Sequence, residues 1–137
     1  LRIYQKRQDR RGIAASFNNL GTVFSNLNDY KNAIDCFKNA LKIVDPENVT
    51  AVLTNLGSSF FSSERHSIGM GYLDKALVLL NERHGDRPHP EKVRRLSVLG
   101  NGYSKWGKHK EAVECYQEAL NMLREIHRHR PHPEIAT

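Results

Sequence analysis

Apolar residues along this chain fall three and four positions apart. Phe17, Leu20, Phe24 and Leu27 make one such run, which is the spacing of a single helix face. A polar break follows at Asn28-Asp29, and a second run continues through Ala33, Ile34, Phe37, Ala40, Leu41 and Val44. No period-two alternation competes, so the chain reads as all-α. The spacing predicts helices over 2–9, 12–26, 30–44, 47–62, 66–83, 91–106 and 109–128.

The pattern repeats. Phe17-x2-Leu20-Gly21-x2-Phe24 followed by Ala33-x3-Phe37-x2-Ala40-Leu41 returns as Leu53-x2-Leu56-Gly57-x2-Phe60 with Gly69-x3-Leu73-x2-Ala76-Leu77. It returns again as Leu96-x2-Leu99-Gly100-x2-Tyr103 with Ala112-x3-Tyr116-x2-Ala119-Leu120. Equivalent glycines lie 36 and then 43 residues apart. Self-similarity at such a period marks a stacked helical array. A mid-helix glycine costs about 1 kcal/mol relative to alanine, so Gly21, Gly57 and Gly100 call for an offset. Close approach of the partner helix supplies it, and the small residues Ala33, Gly69 and Ala112 match them on the second helices. A lone hairpin cannot cover both its faces, so neighbours must stack.

Element ends carry their own signals. Asp45-Pro46-Glu47 offers an N-cap, a proline at the first helical position and an acid favoured by the helix dipole. Pro90-Glu91 and Pro133-Glu134 repeat the proline-then-acid pair, and Gly107 can end a helix in a left-handed conformation.

These residues resemble the tetratricopeptide repeat, whose pattern is Trp-x2-Leu-Gly-x2-Tyr, then Ala-x3-Phe, then Ala and Pro. Phe or Leu stands for the Trp here, and Gly69 and Leu73 replace Ala and Phe in the second unit. Arg87-Pro88-His89-Pro90-Glu91 recurs as Arg130-Pro131-His132-Pro133-Glu134. That recurrence and the Asn18-Asn19-Leu20-Gly21 string are similar to the kinesin light chain and nephrocystin-type subclass. The 36-residue first interval does not fit that subclass, so the array is mixed. The resemblance implies a right-handed superhelical solenoid of antiparallel helix hairpins whose first helices line a concave groove. On this register residues 1–13 end a preceding repeat, 14–49, 50–92 and 93–135 are three repeats, and 136–137 begin a further one. Repeats cut at both ends predict a longer parent protein.

The resemblance also implies a peptide-binding groove formed by Asn18, Asn19, Thr22, Asn26, Thr54, Asn55, Ser58, Ser62, Arg94, Ser97, Asn101 and Lys105. On the resemblance, Asn19 and Asn55 fall where family members grip a peptide backbone with asparagine amides, each of which offers both a donor and an acceptor. Solvated asparagines on a helix face are the plainer alternative. The family's carboxylate clamp for chaperone tails falls on Asn18, Thr22, Asn55, Arg94 and Val98, where only Asn55 and Arg94 are acceptable. Gripping a carboxylate takes cationic donors placed together, so chaperone-tail binding is disfavoured.

Composition then removes other chemistries. Hydrophobic residues are 39% and charged residues 26%, ordinary for a globular protein. No run approaches the roughly 20 apolar residues of a membrane helix. Cys36 and Cys115 occupy equivalent repeat positions, with no CxxC pair and no adjacent His-Asp arrangement to activate a thiol. A reducing, cytoplasmic setting follows. Seven histidines include His127, His129 and His132, whose spacing of two and three is a weak metal match; His84 and His89 flank a similar loop. No metal and no cofactor is expected. Net charge is +6, and the basic stretch Arg124, His127, Arg128, His129, Arg130 lacks free stacking aromatics, so nucleic acid is disfavoured. Trp106 reads as packing.

The expectation is therefore a non-catalytic scaffold that binds a protein or peptide, with a lean to acidic segments through Arg94 and Lys105. The competing expectation is self-association into a homo-oligomer through exposed terminal helices, carried by Leu1, Ile3, Tyr4 and the last helix.

Overall fold

The computed structural model describes residues 2–129. Within them the chain forms six α-helices and no strand: α1 (Arg2–Asn26), α2 (Tyr30–Ile43), a 3₁₀ turn (Pro46–Asn48), α3 (Val49–Ser62), α4 (His66–His84), α5 (Pro90–Lys105) and α6 (His109–Arg128). Two compact units follow from the packing, Leu1–Ala76 and Leu77–Thr137. The recurrence at 130–134 and the expected start of a further repeat lie outside the described residues, as do Leu1 and the side chain of Tyr4.

Two differences from the sequence expectation go beyond a one-residue shift of a helix end. The segments 2–9 and 12–26 are one helix, α1. Arg10-Arg11-Gly12 is polar enough to suggest a break, yet Gly12 keeps helical backbone, and an added Cβ there would meet nothing within 4 Å. Helix propagation is cheap once a helix has started, and nothing in this stretch forces the backbone to turn. The second difference is Asp45. Its side chain makes no cap hydrogen bond; it is bound by Arg11 Nε from α1 instead. The first turn after Pro46 tightens into a 3₁₀ turn, and α3 proper begins at Val49.

The hairpin turns share one design. Asn28, Glu64 and Gly107 all have positive φ, of 61°, 67° and 80°. Each is followed by an amide that reaches back five residues: Asp29 N–H to Phe24 O, Arg65 N–H to Phe60 O, and Lys108 N–H to Tyr103 O. This is the Schellman closure that satisfies the last helix carbonyls. Gly107 adopts it freely, whereas Glu64 carries a left-handed cost of roughly 1–2 kcal/mol. In the first hairpin Asp29 then caps α2 by accepting Asn32 N–H at 3.3 Å, which typically contributes about 1 kcal/mol.

In the first unit, α1 pairs with α2 and α2 packs on α3. Ala33, Ile34, Phe37 and Ala40 of α2 meet Val52, Leu56 and Phe60 of α3 in one apolar cluster, with Phe17, Phe24, Leu41, Val44 and Tyr72 at its margin. Each fully buried large side chain contributes about 1.5–3 kcal/mol. The α1–α2 and α3–α4 contacts close where the small residues predict. A Cβ on Gly21 would stand 2.6 Å from Phe37 Cε1, and one on Gly57 2.7 Å from Leu73 Cγ. The α3–α4 pair is tighter still, because a Cβ on Gly69 would lie 2.7 Å from the Gly57 carbonyl oxygen, a backbone atom.

In the second unit, α5 pairs with α6. A Cβ on Gly100 would meet Tyr116 Cε1 at 2.7 Å, and Val93, Leu96 and Ala119 pack with Leu77, Met122 and Ile126. Lys92 is buried, and its ammonium donates to the carbonyls of Gly85 and Arg87, the latter at 2.9 Å. It thereby ties the turn before α5 to the body of the helix.

Candidate peptide-binding cleft

The cleft of the first unit runs between α1 and α3. Small side chains on both walls (Ala14, Ala15 and Ala51) leave a cavity of about 350 Å³ that Arg11, Asn18, Asp45, Glu47 and Asn48 also line. Asn18 of this lining bridges the two first helices: Asn55 Nδ2 donates to Asn18 Oδ1 at 3.0 Å. This leaves the Asn18 amide as donor and the Asn55 carbonyl as acceptor. Reversing both amides also leaves one donor and one acceptor, so the pair can meet an extended backbone in either assignment. Arg11 is held by Asp45 and stands 3.5 Å from Glu47. The cleft's cation is therefore already neutralised.

The remaining expected groove residues scatter. Thr22 is exposed, and its hydroxyl donates to the Asn18 carbonyl at 3.0 Å. Asn19 and Asn26 are exposed on α1, and it is Asn18 rather than Asn19 that reaches Asn55. Thr54 is buried, with its hydroxyl turned onto the Thr50 carbonyl at 2.7 Å, so it offers nothing to a ligand. The physical reason is register: Thr54 stands beside Leu53 on the core side of α3, and a threonine there satisfies its hydroxyl within its own helix. Ser58 and Ser62 are half-buried.

On α5, in the second unit, Arg94 and Lys105 are exposed, and Ser97 donates to the Val93 carbonyl at 3.0 Å. Asn101 Oδ1 accepts the Tyr116 hydroxyl. Trp106 is half-buried, with the Lys108 ammonium 4.1 Å from its ring centroid, a cation–π contact. The Cys36 thiol is pushed up by burial and by Asp35, the reverse of what a thiol nucleophile requires.

The sequence reading noted His84 and His89 at a loop but did not join Glu91 to them. His84, His89 and Glu91 place their donor atoms within 4.8 Å of one another at the α4–α5 turn. Spacings of five and two are not the helical ligand spacing. The signal that could have found them is the turn itself, since Gly85, at φ 65°, folds His84 back toward the start of α5. Among the described residues no helix is long and apolar enough to cross a membrane.

Comparison with known proteins agrees with this architecture. Family profiles described as tetratricopeptide repeat match residues 48–125 and 14–44. No curated protein matches the chain in sequence. The crystal structure of BtubC (BKLC) from P. vanneervenii is 24% identical with a TM-score of 0.74, covering 88% of this chain and 50% of that one. The chain thus spans half the length of that protein. A Podospora anserina putative kinesin light chain with nearly identical TPR-like repeats is 15% identical with a TM-score of 0.73, covering 84% and 57%. The first TPR of Spaghetti (RPAP3), bound to the HSP90 peptide SRMEEVD, is 21% identical with a TM-score of 0.64, covering 82% and 80%. At these identities the likeness is one of fold, and the profile match over residues 48–125 carries the assignment: this chain belongs to the tetratricopeptide repeat family.

Proposed function

We propose that this chain is a protein-binding module that seats an extended peptide in the α1–α3 cleft. The observation that carries the reading is the Asn18–Asn55 amide bridge beside a cavity walled by alanines. It presents a donor and an acceptor to a peptide backbone next to room for a small side chain. Asn48 and Ala51 continue the same wall on α3. In the second unit the exposed Arg94 and Lys105 of α5 would by themselves favour acidic residues in a partner. A chaperone-tail carboxylate is a poor fit. The clamp positions hold Asn18, Thr22, Asn55, Arg94 and Val98, and Asn18 and Asn55 already bind each other. The HSP90 peptide held by the Spaghetti (RPAP3) domain is therefore a useful negative control.

Asn18→Ala combined with Asn55→Ala should weaken peptide binding by roughly 10- to 30-fold, as two hydrogen bonds of about 1 kcal/mol each are lost. Fluorescence anisotropy with peptides selected from an array of acidic and neutral sequences measures it. Circular dichroism confirms that the helices persist. Undiminished affinity in the double variant removes the cleft as the binding site.

A second reading, self-association, rests on the open faces of α1 and α6. Val113, Tyr116, Leu120 and Leu123 of α6 are all at least 38% exposed. Their repeat equivalents on α2 are Ile34, Phe37, Leu41 and Val44, the face that packs against α3. On α1, Leu20 is 47% exposed, whereas its equivalent Leu56 on α3 is fully buried. The α6 face of one copy suits the α1 face of another, a heterologous contact that adds copies head to tail instead of pairing them about a two-fold axis. Sedimentation velocity over a range of concentrations should then show growing species, and Leu20→Glu with Leu120→Glu should abolish them. A wild-type monomer at every concentration rules this reading out.

A further inference from the structure

We infer that His84, His89 and Glu91 form a binding site for a borderline divalent transition-metal ion such as zinc, clasping the end of α4 to the start of α5. The three donors come from opposite sides of a tight turn. His84 is the last residue of α4, His89 the N-cap of α5, and Glu91 lies in the first turn of α5. Two imidazoles and a carboxylate are the donor set such ions take, with a fourth position left to water.

The distances are close to what an ion needs. His84 Nε2 lies 3.4 Å from Glu91 Oε1, and His89 Nδ1 lies 4.0 Å from the same oxygen. Metal–nitrogen and metal–oxygen bonds of about 2.0–2.2 Å place two ligands of a tetrahedral ion roughly 3.4 Å apart. His84 Nε2 is buried and makes no hydrogen bond, standing near Glu91 without hydrogen-bond geometry. A buried ring nitrogen left without a hydrogen bond beside a carboxylate calls for a further group to satisfy it, and a cation shared by the two would do so. The two rings stack, with centroids 3.6 Å apart and planes 11° apart, so coordination must tilt them until their in-plane lone pairs converge. His89 Nδ1 now accepts the Glu91 N–H at 3.1 Å; binding through this nitrogen exchanges a cap hydrogen bond for a metal bond.

Opposing charge sets the limits of the site. Arg83 Nη1 lies 3.9 Å from Glu91 Oε2, and the Lys92 ammonium is held on the carbonyls of Gly85 and Arg87. Both repel a cation. Removing the arginine should therefore tighten binding, a response with no counterpart if the histidines merely stack.

Zinc titration of the whole chain by calorimetry, with cobalt absorption as a check on geometry, tests the proposal. A saturable site should appear in the wild type. His84→Gln and Glu91→Gln should each weaken it by at least the roughly 10- to 100-fold that outer partners of a metal are worth. His89→Asn, which keeps a capping oxygen, should weaken it similarly, and Arg83→Gln should strengthen it. Zinc should also raise the wild-type melting temperature and leave that of Glu91→Gln unchanged. No saturable binding overturns the proposal. Binding that survives His84→Gln and Glu91→Gln also overturns it, by placing the ion elsewhere, for instance on the recurring letters His127, His132 and Glu134.

Discussion

Gly57→Leu should destabilise the chain by about 1–3 kcal/mol or more, lowering its melting temperature by roughly 5–15 °C. The reason is not the glycine's flexibility but the space it leaves. A Cβ alone would stand 2.7 Å from Leu73 Cγ and 3.0 Å from the Gly69 carbonyl oxygen. Leu73 is 1% exposed and has nowhere to withdraw. The carbonyl belongs to α4, so relief requires the two helices to part and open the contact that buries Phe61 and Leu73. Gly69→Ala probes the same seam from the other side, where the obstacle is the Gly57 carbonyl at 2.7 Å. Gly71 is the internal control. It lies in α4, and a methyl added there would meet nothing within 4 Å. Alanine there should be neutral or stabilise by up to about 1 kcal/mol through helix propensity. Differential scanning calorimetry on the three variants separates the explanations: equal losses at Gly57 and Gly71 would mean that packing of the pair is not the cause.

Phe37→Ala should cost about 3–5 kcal/mol, the range for deleting a fully buried aromatic ring. Phe37 is 2% exposed, rests against Gly21 and is enclosed by the cluster that α2 makes with α3. Its repeat equivalent Tyr116 lies over Gly100 in the same way but is 40% exposed and gives its hydroxyl to Asn101. Tyr116→Ala should therefore cost markedly less, because part of its ring is already in water and leaves no sealed cavity. Urea unfolding of both variants measures the difference. Equal costs would show that position within the repeat, rather than burial by the next helix, governs the contribution.

The contrast between Phe37 and Tyr116 marks the boundary of what could be read in advance. Identical motif positions predict identical local packing, and the rings do sit over their glycines in both hairpins. Whether a further helix covers the outer side is not a local property. The same holds at Leu20 and Leu56, which share a motif letter and differ completely in exposure. In the candidate site, the sequence singled out Asn19 and Asn55, whereas it is Asn18 that binds Asn55 across two helices. It counted Thr54 as a groove residue although the helix turns that side chain inward. The ion pairs from Arg11 to Asp45 and Glu47 were equally hidden, since they span 34 and 36 residues.

By itself the amino-acid order determined the all-α class, the paired helices, the turns and the points of closest approach. These follow from short-range physics: a 3.6-residue apolar period, a residue tolerant of left-handed backbone after the first helix at Asn28 and Gly107 (though not at Glu64), and small side chains where two axes converge. Only the tertiary structure decided that α1 runs unbroken from Arg2 to Asn26, that Asp45 serves Arg11 instead of its own helix, and that His84, His89 and Glu91 meet at one turn. Those outcomes depend on which distant groups compete for the same atom, and that competition is settled by three-dimensional proximity, not by neighbours in the chain.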